Sequence, residues 1–389
     1  MRIITEQEIK LCFALLRSAV CNDIFPYDIR AIYNAELLPK IIKTAEQHDI
    51  LHLIAFGLKK NNLLVESNKH LETEIFRAVY RYVQQNCELN KLCNTFEKAK
   101  IPFLPLKGSV IRKYYPEPWM RTACDIDVLV HTEDLDGAID FLAENLKYKC
   151  KCENSHDVSM FSKSGIHIEL HYQLIEEGLV NATSNIFKSI WHVAKPISQY
   201  NYCNEMPDEM FYFYHIAHMA KHFINGGCGI RPFLDLWVLN HRIDFDKERR
   251  DKLLVDGGLN IFAKQAELLS EVWFGNSGHT EITKQMETYI LCGGVYGTNE
   301  NRIAVQQTKK GGKLRYALSK IFISYDVIKF HYPIIQKHKL LTPIMEVRRW
   351  GKLIFCGHLK RTTKELKFNN NVSKKTAFET QELLKNIGL

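Results

Sequence analysis

The stretch IPFLPLKGSVIRKYYPEPWMRTACDIDVLV, residues 101–130, decides the fold, because two apolar runs of strand length flank a short helix-like segment. The first run, residues 101–106, ends at Lys107, Gly108 and Ser109, where we expect a strand to turn into a helix. A glycine at such a junction lets backbone approach a ligand closely, and the free N–H groups of a helix N-terminus attract an anion. This junction therefore predicts a phosphate-binding turn.

The second run begins with two carboxylates. Asp125 and Asp127 alternate with apolar residues, so both leave the same face of the predicted strand. Side-by-side carboxylates next to an apolar run repel each other unless a cation lies between them. The later segment HIELH, residues 167–171, has the same period of two and puts Glu169 on one face with two histidines. The three acids together predict a metal site.

A phosphate-binding turn beside three carboxylates suits phosphoryl or nucleotidyl transfer. Two Mg²⁺ ions held by shared aspartates would bind both the attacking and the leaving oxygen of an in-line displacement at an α-phosphate. The third acid would complete the metal shell and help to deprotonate the acceptor hydroxyl. Lys-Gly-Ser alone is a common turn and Asp-x-Asp alone is common in loops, so the spacing and the flanking apolar runs carry this prediction.

The order of the motifs resembles the DNA-polymerase-β-like nucleotidyltransferase superfamily. More closely it resembles a bacterial family of uncharacterised nucleotidyltransferases, in which a Lys-Gly element, a Tyr-Pro, an Arg and an Asp-Ile-Asp follow one another. The segment HIAHMAKHFINGGCGIRPFLDLWVL, residues 215–239, is similar to a helical segment of that family. The resemblance implies an α+β fold with a small mixed-sheet, palm-like core. It also implies Mg²⁺- or Mn²⁺-dependent transfer of a nucleoside monophosphate from a nucleoside triphosphate to an acceptor hydroxyl of a small molecule, RNA or protein.

Carried onto this chain, the resemblance implies a role for each motif residue. Asp125, Asp127 and Glu169 would be the catalytic carboxylates and the metal ligands. Nucleotide or phosphate contacts are expected from Lys107, Gly108, Ser109, Arg121, Lys221 and His222. Two departures stand out: the lysine of the turn belongs to the narrower family only, and the third acid is a glutamate, which reaches about one methylene further than the more usual aspartate.

Three histidines of the later segment share one face of a predicted helix. His215, His218 and His222 are spaced at i, i+3 and i+7, but no further ligand with suitable spacing accompanies them as a zinc site would require. The simpler interpretation is that they line the cleft or make polar contacts between domains. Arg231 and Asp235, four residues apart, are expected to form an ion pair on one helix.

Three regions follow one another along the chain. Residues 1–98 are predicted to be an N-terminal helical region, residues 99–200 the nucleotidyltransferase core, and residues 201–389 a C-terminal helical region with a basic tail. Within the first region, apolar residues with helical spacing predict three helices, at residues 6–20, 35–48 and 71–98. In the second, a helix is expected from about residue 133 to 145.

The composition fits a globular, multidomain enzyme. The 389 residues are 46% hydrophobic and 25% charged, which is ordinary, and the length suggests two or three domains. Eleven cysteines without a Cys-x-x-Cys motif favour a reducing compartment. No run approaches the roughly 20 apolar residues that cross a bilayer, and the first residues lack a signal-peptide core, so we expect a cytoplasmic protein without a transmembrane segment.

Positive charge is concentrated near the C-terminus. Residues 301–389 hold 19 Lys and Arg against 5 Asp and Glu, whereas the whole chain holds 52 against 44. Such a region can bind an anionic partner, for example nucleic acid, a phosphorylated glycan carrier or a membrane surface. The simpler interpretation is that the basic residues cover the solvated faces of packed helices.

Two other functions fit parts of the pattern. A nucleotide-sugar-dependent glycosyltransferase also uses Asp-x-Asp after an apolar strand, but it would place a nucleotide-binding half before the motif, where this chain has predicted helices. A toxin-like or non-catalytic nucleotide-binding regulator would keep the same fold and act on a macromolecule such as tRNA. The presence of all three acids favours an active enzyme.

Overall fold

A five-stranded mixed sheet lies in the middle of the chain, between helices that precede it and helices that follow it. The computed structural model describes residues 4–34, 36–153, 156–175, 181–323, 325, 328–329, 332, 334–355, 368–370 and 372–389. The strands of the sheet are β1 Phe103–Pro105, β2 Asp125–Val130, β3 Lys149–Glu153, β4 Asp157–Phe161 and β5 His167–His171. Their order in the sheet is β1-β2-β5-β4-β3. This mixed sheet with many helices confirms the α+β fold class, while the palm-like comparison stays a prediction.

The register of the sheet explains why acids and apolar residues alternate. β2 pairs antiparallel with β1 and parallel with β5, and the parallel pairing puts Asp127 opposite Glu169. Ile126 and Val128 leave the other face of β2 and are at most 1% exposed. Both strands have the bounds that the period-two pattern predicts. β1 is shorter than its apolar run, because the N–H of Ile101 donates to Phe96 of the preceding helix rather than to a strand.

Five helices precede the sheet. They are α1 Glu6–Leu16, α2 Tyr27–Ile32, α3 Leu37–Gln47, α4 Leu51–Lys60 and α5 Glu72–Ala99. The side chain of Thr5 caps α1 by accepting a hydrogen bond from the N–H of Glu8. Three buried residues of α5, Leu92, Cys93 and Phe96, belong to the apolar core under the sheet. The three predicted N-terminal helices are therefore confirmed, and the longest of them reaches the sheet.

Within and directly after the sheet region lie α6 Gly108–Ile111, α7 Leu135–Leu146, α8 Asn181–Phe187 and α9 Ile190–Val193. A separate two-stranded sheet pairs β6 Lys195–Pro196 with β7 Asn204–Glu205. The helices that follow are α10 Asp208–Ile224, α11 Arg231–Arg242, α12 Lys247–Asp256, α13 Asn260–Phe274, α14 Glu281–Leu291, α15 Asn299–Lys309 and α16 Lys313–Ile321. Further helices span Ile334–Lys337, Thr342–Phe355 and Lys374–Asn386.

The helices before and after the sheet share one apolar core. Phe13 of α1 stacks on Trp273 of α13 with ring centroids 4.7 Å apart, and Phe233 of α11 meets the same indole at 5.1 Å. A second core lies under the sheet and contains Phe103, Val128 and their neighbours. No helix among the described residues combines the length and the apolar character that a membrane crossing needs.

Candidate active site

Three carboxylates project from one face of the neighbouring strands β2 and β5. Asp127 and Glu169 are register partners, and Asp125 lies on the same face two residues before Asp127. Asp127 is only 3% exposed, whereas Asp125 and Glu169 are half-buried. Strand pairing alone therefore brings together the three acids that the sequence singles out.

Lys107 lies directly against these acids. Its Nζ is 2.6 Å from Oδ1 of Asp127 and 3.9 Å from Oε2 of Glu169. The backbone of Lys107 has φ 45° and ψ −120°, a conformation that residues other than glycine rarely adopt. This strained turn leads from β1 into α6. The sequence predicts that the ammonium of Lys107 neutralises a phosphate, and in this structure it neutralises the carboxylate of Asp127.

The surroundings of the two aspartates of β2 shift their pKa values in opposite directions. Burial, together with repulsion from Asp127 and Glu169, raises the pKa of Asp125 to about 7. Burial also opposes ionisation of Asp127, but the charge of Lys107 and a hydrogen bond from His171 outweigh it and lower the pKa of Asp127. The negative charge of Asp125 is therefore not compensated by a neighbouring group, and a bound cation would compensate it.

His171 completes the contacts of Asp127. Its Nε2 lies 2.9 Å from Oδ1 of Asp127 and 3.4 Å from Oε2 of Glu169. Burial opposes protonation of the ring, but the hydrogen bonds with these two carboxylates raise the pKa of His171. Because an ionised carboxylate only accepts hydrogen bonds, Nε2 carries the hydrogen of this contact.

Two overlapping groups of side chains have the spacing of metal ligands. One consists of Asp125, His167 and Glu169, and the other of Asp127, Glu169 and His171. In each group, one ligand atom from every residue lies within 4.8 Å of the others. Carboxylate oxygens suit Mg²⁺, and a mixture of carboxylate and imidazole also suits Mn²⁺. The donor set thus fits two hard divalent cations that share Glu169.

Gly108 lies where a side chain would be crowded. A Cβ at this position would meet the Cβ of Ala123 at 3.0 Å. Arg112 fixes the turn, since its Nε donates to the carbonyl of Gly108 at 2.9 Å and its Nη2 donates to Gln85 of α5. The same glutamine donates to the carbonyl of Ala123. Helix α5 therefore holds both ends of the loop between β1 and β2.

A cavity of about 320 Å³ opens beside the carboxylates, a size in the range of ligand pockets. The acids of β2 and β5 form one wall and α10 forms another. Lys107 and Gly108 line it, but Ser109, one residue further and half-buried, is not among the described residues that do. Lys221 and His222 of α10 also line the cavity.

Arg121 reaches the cavity wall but is engaged elsewhere. Its Nε lies 2.7 Å from Oδ1 and 2.9 Å from Oδ2 of Asp235, which also accepts a hydrogen bond from the hydroxyl of Tyr115 at 2.7 Å. Burial opposes both charges, yet the pair keeps the pKa of Asp235 below its usual value. The guanidinium of Arg121 is thus already paired with a carboxylate, and its contact with a phosphate stays a prediction.

The predicted ion pair between Arg231 and Asp235 is wrong. Nη1 of Arg231 lies 2.7 Å from Oδ2 of Asp49, in the turn before α4. The spacing of Arg231 and Asp235 on one helix does not show that Asp235 has another partner. That partner is Arg121, which lies in the loop before β2 and is distant in the sequence. Each of the two residues therefore joins α11 to a different part of the chain.

The histidine face of α10 lines the cavity and makes polar contacts. Nε2 of His215 lies 2.9 Å from the carbonyl oxygen of Pro232, and the Nε2 atoms of His218 and His222 are 3.3 Å apart. Burial lowers the pKa of His215 and places that of His218 well below its ordinary value. Among the described residues, no group with metal-ligand spacing includes these three. The geometry fits the interpretation that these histidines line the cleft and make polar contacts, rather than bind zinc.

Among the residues that line the cavity and were not predicted as site residues from the sequence are His171, Tyr214 and Tyr296. His171 had a signal, since it shares the strand face of Glu169. Tyr214 lies one turn before His218, and its buried hydroxyl has no hydrogen-bond partner among the described residues. Tyr296 comes from the loop between α14 and α15 and belongs to no motif.

Comparison with known protein families decides the affiliation of the chain. Residues 35–275 match a family described as uncharacterised nucleotidyltransferase, and the match covers more than half of the 389 residues. The chain belongs to this family. As a member of the uncharacterised nucleotidyltransferases, it carries the Lys-Gly turn and all three acids inside the matched region, whereas the basic residues 301–389 lie outside it. No curated protein matches the chain.

Proposed function

We propose that the protein is a metal-dependent nucleotidyltransferase, which transfers a nucleoside monophosphate from a nucleoside triphosphate to an acceptor hydroxyl by a two-metal mechanism. The observation that carries the proposal is the convergence of Asp125, Asp127 and Glu169 on one cavity, next to a cationic turn. Family membership supports nucleotidyl transfer over the glycosyl transfer that an Asp-x-Asp motif also permits.

The three acids fit Mg²⁺ or Mn²⁺ because they supply oxygen ligands and because the charge of Asp125 is uncompensated. The raised pKa of Asp125 reports repulsion that a cation would relieve. We assign Asp125 and Glu169 to one ion, and Asp127 and Glu169 to the other. When bound, such ions would polarise the transferred phosphoryl group and make the acceptor hydroxyl more acidic.

The protein's own side chains would bind and orient the nucleotide. Gly108 lets the backbone of the turn approach the β- and γ-phosphates, and Ser109 is proposed as a further contact. Lys107, Lys221 and His222 supply basic groups around the cavity. We assign Arg121 to holding the loop through Asp235 rather than to direct neutralisation of phosphate.

Glu169 is the acid best placed to meet the acceptor. Its side chain is 24% exposed, while that of Asp127 is 4% exposed and already bonded to Lys107. A carboxylate that reaches solvent beside the reacting hydroxyl can take its proton. The acceptor itself, whether small molecule, RNA or protein, is to be identified by experiment.

The proposal is tested best at Asp125. Removing Asp127 would leave Lys107 and His171 without their partner, whereas Asp125→Asn removes the uncompensated charge and keeps the shape. Calorimetry should detect Mg²⁺-dependent triphosphate binding to the unaltered protein and to the exposed-residue control Asp140→Asn. Asp125→Asn should lose the metal dependence and the transfer activity while remaining folded, with an unfolding temperature no lower than that of the unaltered protein without metal.

The same variants serve to find the acceptor. The protein is incubated with α-³²P-labelled nucleoside triphosphates and a cell extract, and label is followed into protein, RNA and small molecules. Label that appears with Asp140→Asn and not with Asp125→Asn identifies the product. Metal-independent nucleotide binding that Asp125→Asn leaves unaltered would contradict the proposed mechanism.

A further inference from the structure

A second set of metal-ligand side chains lies beside the catalytic acids. It consists of His156, Asp157 at the start of β4 and His171 at the end of β5. Asp157 and His171 are register partners, and Nε2 of His156 lies 3.0 Å from Oδ2 of Asp157. One ligand atom from each of the three lies within 4.8 Å of the others.

One of these distances is compatible with a tetrahedral ion. Ligand atoms at about 2.0–2.1 Å from a tetrahedral zinc ion are separated by roughly 3.3 Å. The separation of 3.0 Å between His156 and Asp157 is close to that value. Asp157 is 4% exposed and His171 2%, so two of the three ligands are buried in the sheet, and the half-buried His156 directly precedes β4.

The two ring nitrogens of His171 have different surroundings. Nε2 donates to Asp127, as described above. Nδ1 is buried and has no hydrogen-bond partner among the described residues. Histidines that bind metal ions through one nitrogen usually donate the other N–H to a carboxylate. The contact with Asp127 therefore holds the ring in the tautomer that leaves Nδ1 free to bind a metal ion.

We propose that His156, Asp157 and His171 bind a Zn²⁺ ion, with Nδ1 of His171 as a ligand. Two imidazoles and one carboxylate suit zinc better than Mg²⁺, which prefers oxygen ligands. His156 and Asp157 both line the cavity, so the remaining coordination position is accessible to water or substrate. This site does not depend on the proposed transfer reaction.

The ion would act on the acids through His171. A zinc-bound imidazole remains neutral and keeps its Nε2–H, so Asp127 retains a fixed hydrogen-bond donor at any pH at which zinc stays bound. His171 is in this sense a positioning residue for Asp127. The zinc site and the proposed magnesium sites would lie on opposite sides of one imidazole ring.

The test is zinc binding by the full chain in competition with Mg²⁺. The protein is stripped with a chelator, dialysed, and titrated with Zn²⁺ in calorimetry while millimolar Mg²⁺ occupies oxygen-rich sites. We expect one zinc per chain, a higher unfolding temperature with zinc, and intense visible absorption when Co²⁺ replaces zinc. His156→Ala and Asp157→Asn should each weaken zinc binding by at least about tenfold.

Two controls separate this site from the acid cluster. His70→Ala removes an exposed histidine outside the site and should bind zinc like the unaltered protein. Asp125→Asn should bind zinc normally although it loses Mg²⁺-dependent nucleotide binding. Equal zinc affinity in His156→Ala and the unaltered protein would overturn the proposal, as would loss of zinc in Asp125→Asn but not in His156→Ala. Either result leaves the proposed transfer reaction to its own test.

Discussion

The carboxyl group of Asp125 titrates in a range where few acids do. Burial and two neighbouring carboxylates raise its pKa from 3.8 to about 7. Between these two values the folded protein holds a proton that the unfolded chain has released. By linkage, a folded state that binds more protons loses stability as the pH rises.

At the residue scale, the metal-free protein should therefore become less stable from about pH 4 to pH 7 through this group. Through Asp125, the free energy of unfolding falls by at most about 1.4 kcal/mol per pH unit, and it stops falling above the raised pKa. Urea unfolding in the presence of a chelator measures it, as the difference between the unaltered protein and Asp125→Asn. Added Mg²⁺ should restore stability above pH 7. A difference that stays constant with pH would contradict this assignment.

At the scale of elements, the bond between Arg121 and Asp235 joins the loop before β2 to α11. Both side chains are largely buried, with 11% and 1% exposure. Breaking a buried pair leaves an uncompensated charge in the interior and typically costs about 3–5 kcal/mol. The position of the loop, and with it the start of β2, thus depends on a helix more than a hundred residues later.

Asp235→Asn should lower the free energy of unfolding by about 3–5 kcal/mol in urea. The exposed Asp244→Asn, near the end of the same helix, serves as the control and should change it little. Arg231→Ala should cost less than Asp235→Asn, because Arg231 pairs with the half-exposed Asp49. Equal costs for Arg231→Ala and Asp235→Asn would contradict the pairing described here.

The loop between α14 and α15 places an aromatic ring at the mouth of the cavity. The N–H of Val295 donates to Gln47 and that of Thr298 to Gly226, which fixes both sides of Tyr296. The side chain of Tyr296 is 73% exposed, and its ring centroid lies 6.1 Å from that of His222. An exposed ring on a loop that is held on both sides offers a nucleobase a surface for stacking.

Tyr296→Ala should weaken triphosphate binding by about 1–3 kcal/mol, the usual effect of removing a stacked ring. Tyr296→Phe should bind as the unaltered protein does, because stacking needs the ring and not the hydroxyl. Tyr80→Ala removes a similarly exposed ring from α5 and is the matched control. Calorimetry with Mg²⁺ measures all three. Weak binding by Tyr296→Phe would point to the hydroxyl instead.

Elements with a local signature were predictable, and long-range pairings were not. β2 and β5 have their predicted bounds because period-two alternation is a property of neighbouring residues. α7 begins at Leu135, two residues later than expected, since residues 132–134 form a 3₁₀ turn. The partners of Lys107 and Asp235 depend on packing between distant segments, and no local pattern encodes such packing. Tyr296 likewise reaches the cavity only through the fold.

At the scale of the whole molecule, the C-terminal helix Lys374–Asn386 closes the helical core. Leu384 is 7% exposed and Ile387 is fully buried. Gln307 of α15 donates to Oδ1 of Asn369 at 2.8 Å, so α15 also binds the segment that precedes this helix. The last residues therefore belong to the folded body, although they lie outside the family match.

Leu384→Ala should lower the free energy of unfolding by about 2–5 kcal/mol, the usual cost of removing a buried leucine side chain. Lys375→Ala alters an exposed residue of the same helix and should have little effect. Triphosphate affinity should stay the same in both, because neither residue lines the cavity. Loss of affinity in Leu384→Ala at a temperature where it remains folded would show that the helix influences the site. The anionic partner of residues 301–389 stays a prediction.

If the proposed ions bind, the contact between Lys107 and Asp127 makes metal binding an exchange. An entering divalent ion must displace an ammonium that already compensates the carboxylate, so it gains less affinity than it would from a bare pair of acids. A triphosphate gives the displaced ammonium a new anion, and each ligand then improves the affinity for the other by the same factor. One lysine thereby couples two binding equilibria, and the cation and the nucleotide are expected to bind cooperatively.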